Sequence, residues 1–94
     1  LRKIADEVYR RWNQSGFKPG LHAQVAFVIM QDGTVPDSSI RVETSSRNIV
    51  FDSRGTAAIE TAGVQHAFGP LPTGFNSASL PVLFNFTMIP KGGP

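Results

Sequence analysis

The sequence predicts an α+β fold of two layers in the order α-β-β-α-β. A three-stranded antiparallel sheet, strand order 2-1-3, carries two helices packed on one face. Three observations predict it. Two segments place apolar residues at helical spacing. Two consecutive segments alternate apolar and polar residues around Asp32-Gly33, a hairpin signal because a type I′ turn needs positive φ at both central residues. A last apolar strand then arrives alone after the second helix and must join the sheet already formed. A right-handed crossover sets it beside the first strand, antiparallel to it.

The elements follow in order. Leu1, Ile4, Ala5, Val8 and Trp12 form the apolar stripe of a first helix of about three turns, with Arg2, Lys3, Asp6, Glu7, Arg10 and Arg11 between them. Asp6–Arg10 and Glu7–Arg11 are pairs four apart with the acid N-terminal, each worth about 0.3–0.5 kcal/mol. Asn13-Gln14-Ser15-Gly16 and then Pro19-Gly20 end this helix. The first strand spans His22 to Gln31, with Ala23, Val25, Phe27 and Ile29 on one face and Gln24, Ala26, Val28 and Met30 on the other. The return strand runs from Ser38 to Thr44, Ile40 and Val42 inward, Arg41 and Glu43 outward.

Asn48 is the expected N-cap of the second helix. Its buried stripe is Phe51, Gly55, Ala58, Ile59 and Ala62, and Gly63 is the expected C-cap. Phe68-Gly69-Pro70-Leu71-Pro72 is a braced connector to the last strand, Leu80 to Ile89. Residues 1–90 make one domain and residues 91–94 a loose tail. A chain of 94 residues builds one modest core, burying about 60–65% of its unfolded surface.

Composition narrows the functional classes. The chain is 40% hydrophobic and 17% charged, as folded domains are, and its net charge of +2 does not call for nucleic acid. Without cysteine there is no thiol chemistry and no disulfide. No apolar run approaches the roughly 20 residues of a membrane span. Because the sequence opens at Leu1 inside a helical pattern and closes on Pro90-Lys91-Gly92-Gly93-Pro94, a piece of a longer protein is expected.

In the order 2-1-3 the second and third strands are edges. The second presents Arg41 and Glu43, charges that discourage pairing. The third presents Leu83, Asn85 and Thr87, guarded only by Pro81 and Pro90. The third strand is therefore the receptive edge, and an edge can accept a strand from another chain. The expected partner-binding residues are Leu80, Val82, Leu83, Phe84, Asn85, Phe86, Thr87, Met88 and Ile89. Val82, Phe84, Phe86 and Met88 also belong to the core parity. The outer sheet face, Ala26, Val28, Met30 and Leu83, is an apolar surface suited to a contact, a dimer interface or a missing segment. The basic face of Arg2, Lys3, Arg10 and Arg11 reads as solvated, or else as attraction to acidic partners or anionic lipid.

These pieces together resemble the C-terminal domain of the TonB/TolA energy-transducer superfamily, over nearly the whole chain. The resemblance rests on Arg10-Arg11-Trp12, on Val25-Ala26-Phe27-Val28-Ile29 leading to Asp32-Gly33-Thr34-Val35, and on Ile40-Arg41-Val42 leading to Ser45-Ser46. Phe51-Asp52, Ala58-Ile59, Pro70-Leu71-Pro72 and Val82-Leu83-Phe84-Asn85-Phe86 complete it. A Trp closing the first helix looks more like the TolA-type branch. Arg47 stands where the family usually has Gly, and Gly55-Thr56 stand where Ala and a larger apolar residue are usual, which suggests a looser second helix. The resemblance implies a periplasmic domain of a protein anchored in the inner membrane of a Gram-negative bacterium and pulled by a proton-driven motor complex through the missing N-terminal part. It implies partners gripped by strand addition: periplasmic Tol–Pal components or the N-terminal peptides of outer-membrane transporters.

Other chemistry finds little footing. His22 and His66 lie far apart in sequence without ligand spacing, so no metal is expected. Ser45, Ser46 and Asp52 suit turn and cap chemistry better than a catalytic triad, and Gly-rich phosphate motifs are absent. Sheet-type RNA binders need exposed aromatics, whereas Phe27, Phe84 and Phe86 share the core parity. No enzyme, cofactor or nucleic-acid partner is expected. A non-transducing envelope interaction module and a homodimer remain open alternatives.

Overall fold

In the first helix, Ile4, Glu7, Val8 and Arg11 follow the three-and-four spacing that lines one helical face. The computed structural model describes residues 3–13, 16–74 and 77–88. Helix α1 is Ile4–Arg11. Val8 is fully buried, and the buried Glu7 receives Arg11 Nη1 at 3.0 Å. Arg11 also donates through Nε to Gln65 Oε1 at 2.7 Å, tying α1 to the second helix. The expected stripe was rotated: Ala5 is exposed and Glu7 takes its place, because Ala5 lies about 100° round the helix from Ile4. The Glu7–Arg11 pair forms, and Glu7 is also paired at i+3 with Arg10. Trp12 is buried but extended, just past the helix end. Leu1, Arg2, Gln14 and Ser15 lie outside the described residues.

Strand β1 is His22–Met30, and its parity is as expected, with Ala23, Val25, Phe27 and Ile29 buried. Strand β2 is Arg41–Thr44, shorter than expected. Residues Asp37–Ser39 form a 3-10 turn instead, in which the Ser39 hydroxyl donates to the Pro36 carbonyl at 2.7 Å. Ser39 Oγ also accepts the Val28 N–H at 3.2 Å, so a side chain does there what a longer β2 would have done. Gln24, Val25 and Ala26 pair with Thr44, Val42 and Arg41, with an irregularity after Gln24. Ile40 is half-buried, but Val42, opposite the buried Val25, is 39% exposed, because β2 is an edge strand with no neighbour on its far side among the described residues.

The Asp32-Gly33 connection is not a two-residue hairpin. Gly33 alone of the two has positive φ, +91°, and the chain runs ten residues from Gln31 to Ile40 before β2 begins. Asp32 accepts from the Thr34 hydroxyl at 2.7 Å and its N–H at 3.1 Å, bonds that hold the carboxyl below its usual range. A Cβ on Gly33 would lie 2.5 Å from the Gly69 carbonyl oxygen, so glycine lets the turn press against the connector. Leu71 N–H donates to Gln31 O at 3.0 Å beside that contact.

Helix α2 is Ile49–Val64. Asn48 caps it as expected: Oδ1 accepts from the N–H groups of Val50 and Phe51, each at 3.1 Å. Phe51, Gly55, Ala58, Ile59 and Ala62 are buried as expected. Gly63 is not the C-cap. The helix runs past it, and the ending is a Schellman motif in which Ala67 N–H reaches Ala62 O and His66 N–H reaches Gly63 O, with His66 at φ +53°. Gly63 serves packing instead, since a Cβ there would lie 2.9 Å from Val35 Cβ.

Strand β3 is Ser79–Thr87, antiparallel to β1 along its length, from His22 opposite Thr87 to Met30 opposite Ser79. The sheet order is β2-β1-β3, and both helices lie on one face, as the sequence predicts. Between helices and sheet sits the core, an aromatic cluster in which Trp12 meets Phe86 at 4.9 Å and Phe51 at 5.5 Å, while Phe68 from the connector stacks on Phe27.

Candidate functional site: the free edge of the third strand

The geometry of the edge follows from one bond. Met88 N–H donates to Leu21 O at 2.9 Å, so Met88 turns its polar groups toward β1. Alternation along a strand makes Phe86, Phe84 and Val82 do the same. Pro81, Leu83, Asn85 and Thr87 then turn theirs to the side that no strand occupies among the described residues. A second contact agrees, for the Asn85 carbonyl accepts the Tyr9 hydroxyl at 2.9 Å from outside the sheet. Pro81, opposite Val28, lacks its N–H on that same outer side, where a ladder loses nothing.

The nine expected site residues therefore separate into two sets. Phe84 and Phe86 are buried, and Leu80, Val82 and Met88 are half-buried against the core. These five hold the strand in place. Leu83, Asn85 and Thr87 are exposed on the outer sheet face and direct their backbone groups at the edge. Ile89, like the guarding Pro90, lies outside the described residues.

Around the strand, the outer face is graded. At one end Gln24 Nε2 donates to Asn85 Oδ1 at 2.9 Å and Gln24 Oε1 accepts from the Thr44 hydroxyl at 3.0 Å, a polar ladder across all three strands. His22 Nε2 lies 3.4 Å from the same Asn85 oxygen. A shallow trough of about 650 Å³ runs from Gln24 and Thr44 of this ladder to Ala26, Val28, Pro81 and Leu83, with Arg41 and Glu43 on its β2 side and Leu83 54% exposed. On β2, Arg41 and Glu43 form an ion pair with each other and keep that edge charged.

The serines and Asp52 form a turn, not a catalytic site. Asp52 accepts from the Ser45 hydroxyl, from Ser46 N–H at 3.0 Å and from the Ser46 hydroxyl at 2.7 Å. Partial burial pushes its carboxyl up, but these hydrogen bonds outweigh it and leave the pKa lowered. Arg47 takes φ +68° in this turn, a left-handed position that glycine would fill without strain. No group of His, Asp and Glu among the described residues could hold a metal ion.

A family model described as TonB C terminal matches residues 1–86, from the first helix through Phe86 of β3. The chain belongs to the TonB C-terminal family. No curated protein and no solved structure matches it. TonB C-terminal domains are periplasmic, belong to envelope energy transducers, generally bind outer-membrane proteins and are not enzymes. Among the described residues no helix is long and apolar enough to cross a membrane.

Sequence reading missed Tyr9. It lies four residues after Ala5 and three before Trp12, at the margin of the expected apolar stripe, and an aromatic ring at that spacing is the one signal the chain gives of it. The fold brings that ring against Phe84, 5.4 Å between centroids, and so to the margin of the sheet.

Proposed function

We propose that this TonB C-terminal domain is the partner-gripping end of a cell-envelope energy transducer, and that it grips by accepting a strand along β3. The observation that carries the reading is the outward edge of Pro81, Leu83, Asn85 and Thr87, which is uncharged, whereas the opposite edge of the sheet, β2, is guarded by Arg41 and Glu43. In the whole protein an inner-membrane helix and a periplasmic linker would connect the domain to a proton-driven motor. Tension applied there would be passed to the partner, coupling proton motive force to outer-membrane transport or integrity.

Backbone pairing tolerates sequence variation, so one edge can serve several partners. Ordering an extended peptide costs part of the interaction, which sets the affinity near micromolar, about −8 kcal/mol. A transducer that must hold under load and then let go is suited by that strength. Trp12 closing α1, packed on Phe51 and Phe86, favours the TolA-like assignment, with Tol–Pal components as partners. N-terminal peptides of outer-membrane transporters are the partners in the TonB-like one.

An amide-shift titration of the labelled domain with extended peptides from both partner classes tests the proposal. Shifts concentrated on residues 80–88 are expected, and the responding class distinguishes the two assignments. Asn85→Pro removes an outward donor and spares the β1 ladder, so the folded variant should bind at least about tenfold more weakly. Normal binding by folded Asn85→Pro, or shifts confined to α1 or to the β1 and β2 residues of the outer sheet face, would refute strand addition at β3.

A further inference from the structure

The β3 edge is not uniformly open. Among its outward carbonyls, that of Asn85 already holds the Tyr9 hydroxyl, 2.9 Å away. Tyr9 is well placed to keep it. Its ring is wedged among Phe84, Trp12 and Phe86, with centroids 5.4, 5.6 and 6.4 Å distant, while 39% of the residue remains exposed. The ring thus packs on the core cluster, and its hydroxyl reaches the sheet margin.

An antiparallel strand added to this edge would form its two-bond pairs opposite the outward residues Leu83, Asn85 and Thr87. Opposite Leu83 both N–H and C=O face the newcomer. Opposite Asn85 the carbonyl is held by Tyr9, and a partner N–H must share or displace that donor. Opposite Pro81 there is a carbonyl but no N–H. Leu83 and Thr87 are therefore the two positions among these four that offer an unencumbered pair, and of the two only Leu83 borders the trough on the outer face. A partner residue opposite Leu83 points to the same outer face, beside the trough of Ala26, Val28 and Pro81.

We propose that Tyr9 is a register-setting latch on the β3 edge. An incoming strand pairs first at Leu83 with an apolar side chain in that position, and extends past Asn85 only by sharing its carbonyl with the Tyr9 hydroxyl or displacing that hydroxyl. The latch rests on the strand-addition reading above and adds to it a residue that weakens and aligns the grip. Such a contact also supplies a route for release: once the last pairs fray, the phenol recloses on the Asn85 carbonyl.

The test compares wild type with Tyr9→Phe, which keeps the ring and deletes the hydroxyl, in parallel titrations against the extended peptides of both partner classes. The latch predicts about fivefold tighter binding by the variant, the equivalent of one net hydrogen bond. It also predicts amide shifts that reach further toward Thr87 in the variant. In the free domain, the Asn85 carbonyl carbon resonance should move on Tyr9→Phe while the other β3 resonances hold. Equal or weaker binding with shifts still centred on β3 would overturn the latch and leave strand addition standing. Shifts absent from β3 in both proteins would overturn both. An Asn85 carbonyl resonance unmoved by the substitution would by itself overturn the latch, whatever the peptide does.

Discussion

Gly33→Ala tests whether the turn between β1 and β2 is what seats the connector leading to β3. Two costs add. At φ +91° an alanine is strained by about 1 kcal/mol. Its Cβ would also sit 2.5 Å from Gly69 O and 2.8 Å from Gly69 C, both backbone atoms that no rotamer change can move. Relief requires the connector to retreat by roughly 1 Å, since ordinary carbon contacts begin near 3.4 Å. That movement stretches the Leu71 N–H to Gln31 O bond, now 3.0 Å, forfeiting about 1 kcal/mol, and loosens the buried Leu71 and Phe68 by a similar amount. The total is about 3 kcal/mol, roughly 15 °C in Tm for a domain of this size. Urea denaturation and calorimetry would measure it. Gly20→Ala is the control, because its φ of +94° carries the same backbone strain while nothing lies within 4 Å of its Cβ. It should cost about 1 kcal/mol. Equal losses in the two variants, or a loss under about 1 kcal/mol at Gly33, would refute the contact argument.

Other predictions concern the two ends of α2 and the acid limb of stability. Arg47 and His66 hold left-handed conformations, so Arg47→Gly and His66→Gly should each stabilise by about 0.5–1 kcal/mol, measured as a raised denaturation midpoint at unchanged m-value. A loss of stability in either would mean that its side chain contributes more than its backbone costs. Asp52 has a pKa below its ordinary 3.8 when folded, so its contribution is fully present above that ordinary value and fades as pH falls through the folded pKa. Wild type should therefore exceed Asp52→Asn in stability at pH 6, with the gap narrowing below about pH 4. A gap independent of pH would show that the carboxylate charge is not what matters there.

Element order, sheet order and the core face of each strand are legible in the amino-acid chain alone. Those follow from local periodicity and from chain connectivity: Ala23, Val25, Phe27 and Ile29 alternate because a half-covered strand must, and a lone third strand after a helix has one favourable place to go. The Asn48 cap was legible for the same reason, being a contact between residues two and three apart. The β3 edge was legible as an edge, and its exposed residues Leu83, Asn85 and Thr87 followed from parity.

Whatever depends on contacts between distant segments is settled only when the chain has folded. Gly63 looks like a helix end, yet Val35, brought up from the long loop, makes it a packing position and leaves the left-handed turn to His66. Ser39 shortens β2 by bonding Val28, a partner eleven residues away. Glu7 replaces Ala5 in the buried stripe because Arg11 neutralises it and links it to Gln65 across the helix pair. Tyr9 meets Asn85 across 76 positions of sequence. Local pattern states which face of an element is apolar, but it carries no information on which distant backbone group a polar side chain will reach. That is why the strand was readable from the chain, and the residue sitting on its edge was not.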